Sequence, residues 1–413
     1  MFLILQETVL TSVGKPVASF TDARHLVTVC SRFLQKKDYM NNSIANSLSR
    51  RCLLLCAVAV VMAVSGCSDT RNDGKAGEMR FSIEVMNRFT PVKNQGRSTL
   101  CWAYAMLSAI ETEHIMRGDS VNLSVKYVTR NVLLDNYRRH YLTAGRTRFT
   151  MRGMGHTLLN SIGRDGLVAF DAYSDRGDAD MKALAKKVAR IARKSVAVRA
   201  GLERLMPQVE GLLAENLGTP PRRVYMYGAT YSPQEFARSV CAPGEYVALT
   251  SFTHHPFGSD FVLEVADNYE QNSFHNVPID TLLCVLERAV RHHRGICWEG
   301  DISNGGFSFA RGTAQLQADE EVTQSVRQRA FERLETTDDH CMAVVGLARD
   351  ARGSLFFIMK NSWGTANPYG GLMYVSADYV RKNTIAVYLP RNEVWTDGVC
   401  HCRNVCNGAH DND

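Results

Sequence analysis

A cysteine opens an apolar helical stretch at position 101, and a histidine heads a β-rich run at position 340. If the two act together, the fold must press a helix N-terminus from the first half of the chain against a strand from the second. The flanking patterns allow this. Apolar residues fall at helical spacing from Leu100 to Met116, and Gly118 ends that run. A second helix is expected over 124–139, with Ser124 as its cap. Residues 177–216 read as a long helical region that Gly218-Thr219-Pro220-Pro221 closes. After Pro243 the pattern changes to strands, at 246–252, 261–265, 295–299, 341–348, 354–360 and 387–389, with one helix over 279–291. A helix-rich first half followed by a strand-rich second half implies an α+β protein. The chain is 413 residues long, enough for two or three lobes. Its 45% hydrophobic and 22% charged residues exclude a disordered, collagen-like or coiled-coil chain.

The first 66 residues stand apart. Arg50-Arg51 precede the apolar run LLLCAVAVVMAV (53–64), and Ser65-Gly66-Cys67 follow it. A basic pair, a short apolar core and a small-residue exit form the layout of a secretory signal, and the run is short for a membrane span. The ending V-S-G-C resembles a bacterial lipobox, which implies cleavage before Cys67 and lipid attachment to it. The expected signal runs from Met40 to Gly66, with residues 1–39 as an upstream extension. The expected product is an exported bacterial lipoprotein, anchored in a membrane and facing the periplasm or the cell surface. Residues 67–84 then form a tether. Residues 1–66 carry seven basic and three acidic side chains, so the net charge of +6 falls to +2 without them. No basic stripe remains to bind nucleic acid. The cluster Lys182, Lys186, Lys187, Arg190, Arg193 and Lys194 in the helical region reads first as a solvated face, and otherwise as a basic surface for substrate.

Four segments carry chemistry: PVKNQGRSTLCWAY (91–104), DDHCMAVVG (338–346), KNSWG (360–364) and GGLMY (370–374). A thiol is a good nucleophile only as thiolate, and a helix N-terminus or a neighbouring imidazolium favours that form. Cys101 has the first, and His340 is a candidate for the second. The amide of Asn361 can fix the tautomer and orientation of such a histidine. The Gln95 side chain and the Cys101 backbone N–H are candidate donors to an oxyanion. Singly, each residue reads as ordinary structure: a core cysteine, a structural histidine, a turn. Their order and local contexts make the set specific.

The segments resemble the active-site blocks of the papain-like cysteine peptidases, in which papain's own Cys–His pair is the reference case. The resemblance implies Cys101 as nucleophile, His340 as base, Asn361 as its orienting partner and Gln95 in the oxyanion hole. It also implies supporting roles for Trp102 and for Trp363, which would cover the Asn–His bond. Two departures narrow the branch. Ser98 stands where the common block has a disulfide cysteine, and His340 follows Cys101 by 239 residues rather than about 130–150. Both are similar to the bleomycin hydrolase and aminopeptidase C branch, as are EYVALTSFT (245–253), NVPI (276–279), Arg327-Gln328-Arg329 with Phe331, and the helical insertion at about 177–221.

The resemblance covers about 85–392. It implies a papain-like two-lobed fold, with Cys101 on a helical lobe and His340 and Asn361 on a β-barrel-like lobe. A peptide would bind in the cleft between them and be hydrolysed through a thioester, with no metal and no cofactor. The branch is mostly aminopeptidase because its own C-terminal segment blocks part of the cleft. Residues 393–413 form a Cys-containing tail, and VCHCRNVCNGAHDND (399–413) does not resemble that segment. Disulfides or disorder suit the tail better than a metal site, since C-x-C-x₃-C with His401 is not a standard zinc spacing. An endopeptidase, or a non-catalytic peptide-binding protein on the same scaffold, is the alternative. The branch is often hexameric, so a homo-oligomer is open.

Overall fold

The structure is a computed structural model that describes residues 79–394, except 175–179, 227 and 318–320. The expected signal, Cys67 and the 399–413 tail lie outside the described residues, as does most of the expected tether.

The helical lobe comes first. Strand β1 (Ser82–Met86) precedes helices α1 (Cys101–Met116), α2 (Val125–Leu142), α3 (Gly155–Asp165), α4 (Met181–Ala197) and α5 (Met206–Leu217). A small hairpin of β2 (Val224–Met226) and β3 (Ala229–Tyr231) leads into α6 (Pro233–Val240). The sheet lobe contains β4 (Tyr246–Thr250), β5 (Asp260–Val262), β6 (Ser273–Asn276), α7 (Ile279–Arg291), β7 (Ile296–Gly300), β8 (Phe307–Ser308) and β9 (Thr313–Ala314). It continues with α8 (Gln324–Glu332), β10 (His340–Arg349), β11 (Leu355–Lys360), β12 (Leu372–Ser376), α9 (Ala377–Asn383) and β13 (Thr384–Pro390). The strands run in the order β5-β6-β4-β13-β7-β10-β11-β12-β9-β8, and β1 also pairs with β10.

Alternation along the central strands feeds two cores. Cys297, Cys341, Ala386 and Tyr388 join the core shared with α1–α6. Their chain neighbours Trp298, Met342, Val387 and Leu389 enter the opposite core, with Leu282 of α7 and Tyr379 of α9. A strand buried on both faces needs apolar residues in both registers, which is why β7, β10 and β13 read as continuous runs.

Helix α1 lies across β7 and β10. Every residue from Trp102 to His114 except Tyr104 is buried. Its buried acids are therefore partnered: Glu111 accepts from Lys93 Nζ at 3.0 Å and from the Leu123 N–H at 2.7 Å, and Glu113 accepts from the Gly295 N–H at 2.8 Å. Gly295 is required there because a Cβ would stand 1.9 Å from the Ala109 carbonyl oxygen.

Two elements differ from the sequence reading. The long helical region is two helices, α4 and α5, separated by a turn in which Arg199 and Gly201 have φ of 46° and 83°. Both helices nevertheless pack as one layer on α2, where Tyr137 Oη meets Ser195 Oγ at 3.1 Å. Residues 82–84, expected in the tether, belong to β1, whose Ser82 and Ile83 pair with Arg349 and Ala348. That strand alternates poorly because four of its five side chains are exposed, so only its pairing marks it. Ser124 caps α2 by accepting from the Tyr127 N–H, as expected. The basic residues of α4 are all exposed.

The close approach at Gly295 gives a stability test. Gly295→Ala should destabilise by about 1–3 kcal/mol through overpacking. Gly163→Ala, on the exposed side of α3 with open space around it, should stabilise by about 0.5–1 kcal/mol. Thermal denaturation of the two variants beside the parent checks both signs.

Candidate active site

Cys101 is the first residue of α1, and no side chain caps that N-terminus. The leading N–H groups and the positive end of the helix dipole therefore serve the thiol. His340 is the first residue of β10, and Asn361 follows the last residue of β11. Antiparallel pairing sets Ala343 opposite Lys360, which brings Asn361 back beside the head of β10. There His340 Nε2 donates to Asn361 Oδ1 at 2.9 Å. A carbonyl oxygen only accepts, so Nε2 carries the proton and Nδ1 is left for Cys101. Asn361 Oδ1 also accepts from the Ser362 N–H at 2.7 Å, which fixes the amide. The Trp363 ring stands 4.8 Å from the imidazole, and its own ring is met edge-on by Phe307 and Phe309.

Gln95 is held against the same loop. Its N–H donates to the Ser362 carbonyl at 2.7 Å, and its side-chain Oε1 accepts from Ser362 Oγ. One N–H of its amide goes to the Ser98 carbonyl at 2.8 Å, and the amide lines the cleft with Cys101 and His340. Trp102 is fully buried, and its indole donates to the Met151 carbonyl at 3.0 Å, anchoring the loop that carries Arg152. The structure thus brings together Gln95, Cys101, His340 and Asn361 from three separate segments, with both tryptophans packed around them.

The electrostatics favour a charged pair. The Cys101 thiol is pulled well below its ordinary range, first by the Cys341 side chain and then by His340, against the cost of burial. Burial alone would lower His340, but Cys101 and the Asn361 acceptor raise it above the ordinary imidazole value. Burial and Cys101 push Cys341 well up, so it keeps its proton and can donate to the thiolate. Behind the site, Lys360 Nζ donates to Thr90 Oγ1 at 2.8 Å and Ser108 Oγ at 2.9 Å, tying β11 to α1, and burial lowers it to about 8.

Three carboxylates, Asp267, Asp338 and Asp339, line the cleft beside Cys101. Arg152 Nε–H is shared between the two carboxylate oxygens of Asp267 at 3.0 and 2.7 Å, and its Nη2 donates to the Asp338 carbonyl at 2.6 Å. Sequence reasoning quoted Asp338 and Cys341 within the histidine block without reading them as part of the site. It did not find Arg152, Asp267 or Glu299, which lie alone in segments without a local motif. The one available signal was the placement of charge within an otherwise apolar strand, at Glu299 in ICWEG.

Among the described residues one group of ligand-type side chains lies elsewhere: His254, His255 and Glu264, whose candidate ligand atoms fall within 4.8 Å of one another. Gln328 Nε2 donates to His254 Nδ1 at 3.0 Å, so His254 carries its proton on Nε2, which faces Glu264 at 3.2 Å. That proton occupies the position a metal would need, and the group is accounted for by hydrogen bonding.

The architecture is papain-like: a helical lobe and a sheet lobe meet at a cysteine on a helix N-terminus. Aminopeptidase W of Lactobacillus delbrueckii subsp. lactis is 23% identical to the chain over 368 residues, covering 76% of this chain and 83% of that protein. The solved structure of pepw from Lactobacillus rhamnosis superposes with a TM-score of 0.60 at 16% identity, covering 91% of this chain and 94% of that one. No family model matches the chain. These similarities relate the chain to papain-like cysteine peptidases of the bleomycin hydrolase and aminopeptidase C type.

The directions of the two shifts define a pH window. Cys101 is deprotonated below the ordinary thiol range of about 8.5, and His340 stays protonated above its ordinary value of about 6.5. Alkylation of Cys101 by iodoacetamide, measured against Cys101→Ala, should therefore rise with a midpoint well below 8.5. His340→Ala should move that midpoint upward. A midpoint at the free-thiol value in the parent protein would contradict the charged pair.

Proposed function

We propose that the chain is a cysteine peptidase acting as an aminopeptidase. The observation that supports this reading is the Nε2–Oδ1 bond between His340 and Asn361, which leaves the other ring nitrogen for a thiol at a helix N-terminus. In the proposed reaction Cys101 Sγ attacks the carbonyl carbon of a peptide bond. The resulting oxyanion takes donors from the Cys101 N–H and the Gln95 amide. His340 gives its proton to the leaving nitrogen, the C–N bond breaks, and a thioester remains on Cys101. Water then attacks the thioester with His340 accepting its proton. The acid leaves and the thiol is restored. The exopeptidase part of the reading rests on similarity to aminopeptidase W.

The proposed setting is outside the cytoplasm, with the chain held at a membrane by lipid on Cys67. No helix among the described residues is long and apolar enough to cross a membrane. A lipid on Cys67 would partition the mature chain into the detergent phase on cloud-point separation, and Cys67→Ser would move it to the aqueous phase.

Two matched fluorogenic peptides, one with a free N-terminus and one N-acetylated, test the activity. The free peptide should be cleaved and the acetylated one spared, with kcat reduced about 10³-fold or more by Cys101→Ala. Equal cleavage of both would replace the aminopeptidase by an endopeptidase. Cleavage that survives Cys101→Ala would refute the cysteine mechanism.

A further inference from the structure

One guanidinium ties the two lobes together across the cleft. Arg152 lies between α2 and α3 in the helical lobe, and Asp267 lies between β5 and β6 in the sheet lobe. The Arg152 Nε–H reaches both Asp267 oxygens, at 3.0 and 2.7 Å, while Nη2 reaches the Asp338 carbonyl at 2.6 Å. The side chain therefore meets two separate segments of the opposite lobe, one of them two residues before His340. All three residues line the cleft together with Cys101 and His340. The bridge also stands close to the thiol. Trp102, the neighbour of Cys101, donates its indole N–H to the carbonyl of Met151, the neighbour of Arg152.

Both ends of the bridge are held. The Arg152 N–H donates to Thr150 Oγ1 at 3.0 Å. At Gly153 a Cβ would stand 2.8 Å from Thr157 Oγ1, so this loop packs directly against α3. On the other side Asn268 closes the loop that carries Asp267. Its Nδ2 donates to the Leu263 and Asn272 carbonyls, each at 2.9 Å, and its Oδ1 accepts from the Asn272 N–H at 2.9 Å. The Asp267 side chain is only 11% exposed, against 41% for Arg152. A largely buried carboxylate that loses its cation is strongly disfavoured. A peptide passing this point must displace the guanidinium and leave Asp267 unpaired, so the bridge resists opening in a way that an exposed surface pair does not.

We infer that Arg152 is a specificity-determining residue: its bridge to Asp267 and Asp338 bars the cleft on the acyl side of the scissile bond, so that only a short acyl half reaches Cys101. This inference rests on the aminopeptidase reading, in which that half is one residue long, and attributes the selectivity to the cleft itself. Length of the side chain and the planar fork of donors both matter to the bar. A lysine keeps the charge, but its ammonium is a point charge without the fork that meets a carboxylate and a carbonyl at once.

Two chromogenic anilides with the same leaving group test this on the full chain: an alanyl anilide with a free N-terminus and an acetyl-trialanyl anilide. Only the acyl half differs, and the ratio of their kcat/KM values reads the selectivity. The parent should favour the short substrate by about 100-fold or more, and Arg152→Gly should narrow that ratio by about tenfold or more. Asp267→Asn, which frees the guanidinium without removing it, should narrow the ratio in the same direction. Thermal melting establishes that each variant is folded. A merely structural ion pair would lower the melting temperature and leave the ratio unmoved. A smaller narrowing in folded Arg152→Gly overturns the bar and leaves the aminopeptidase; if that variant does not fold, Arg152→Lys is held to the same criterion. Equal cleavage of both anilides by the parent overturns the bar and the aminopeptidase together, and leaves a cysteine peptidase. If the parent cleaves neither, the peptidase reading falls, and calorimetric binding to Cys101→Ala decides the bar. Adding Arg152→Gly must then strengthen binding of the long anilide relative to the short one by about tenfold, and an unchanged ratio overturns it.

Discussion

The N-terminus of α1 is pressed against the head of β10, and the rest of the site depends on that contact. It sets a thiol at the positive end of a buried helix beside an imidazole that starts a central strand. Each group alone would resist ionising in such a place, because burial disfavours charge. Together they stabilise one another. The Cys341 side chain, one residue beyond His340, further favours the thiolate. The strand that carries His340 thus also carries a donor for the Cys101 thiolate.

Holding that contact requires polar anchoring in a largely apolar interface. Glu113 takes the Gly295 N–H at the start of β7 and the Arg294 guanidinium at 3.0 Å. Glu111 holds Lys93 from the segment before the cysteine. Lys360 reaches from the residue before Asn361 to Ser108 on α1. Buried charges that lose a partner typically cost about 3–5 kcal/mol, so these anchors oppose sliding of the helix along the sheet. The segment containing Gln95 is tied to the loop after β11 by the Gln95–Ser362 and Gly364–Lys93 backbone bonds. Gln95 and Asn361 consequently move as one piece.

The α+β class, the two lobes and the four residues that meet at the candidate site were legible because each signal was local. Cys101 opens a helix, His340 heads a strand, and Asn361 sits in a short block with Trp363. The division of the helical insertion was hidden because Arg199 and Gly201 interrupt a sequence whose composition stays helical on both sides. Strand β1 was hidden because its side chains are mostly exposed, and backbone pairing to β10 is what defines it. Glu299 was hidden for a different reason. Its meaning comes from lying opposite Cys341 across a strand pair, and register between strands more than 40 positions apart leaves no mark in the order of residues.

The central claim is that Cys101 forms a covalent bond to the acyl half of a peptide with His340 assisting. Rapid mixing of the full chain with a peptide anilide, acid quenching and mass spectrometry of the fragment bearing Cys101 tests it directly. The account predicts an added acyl mass on Cys101 at early times, lost on His340→Ala. Anilide release with Cys101 unmodified, or an acyl group on Cys341 in its place, would contradict it.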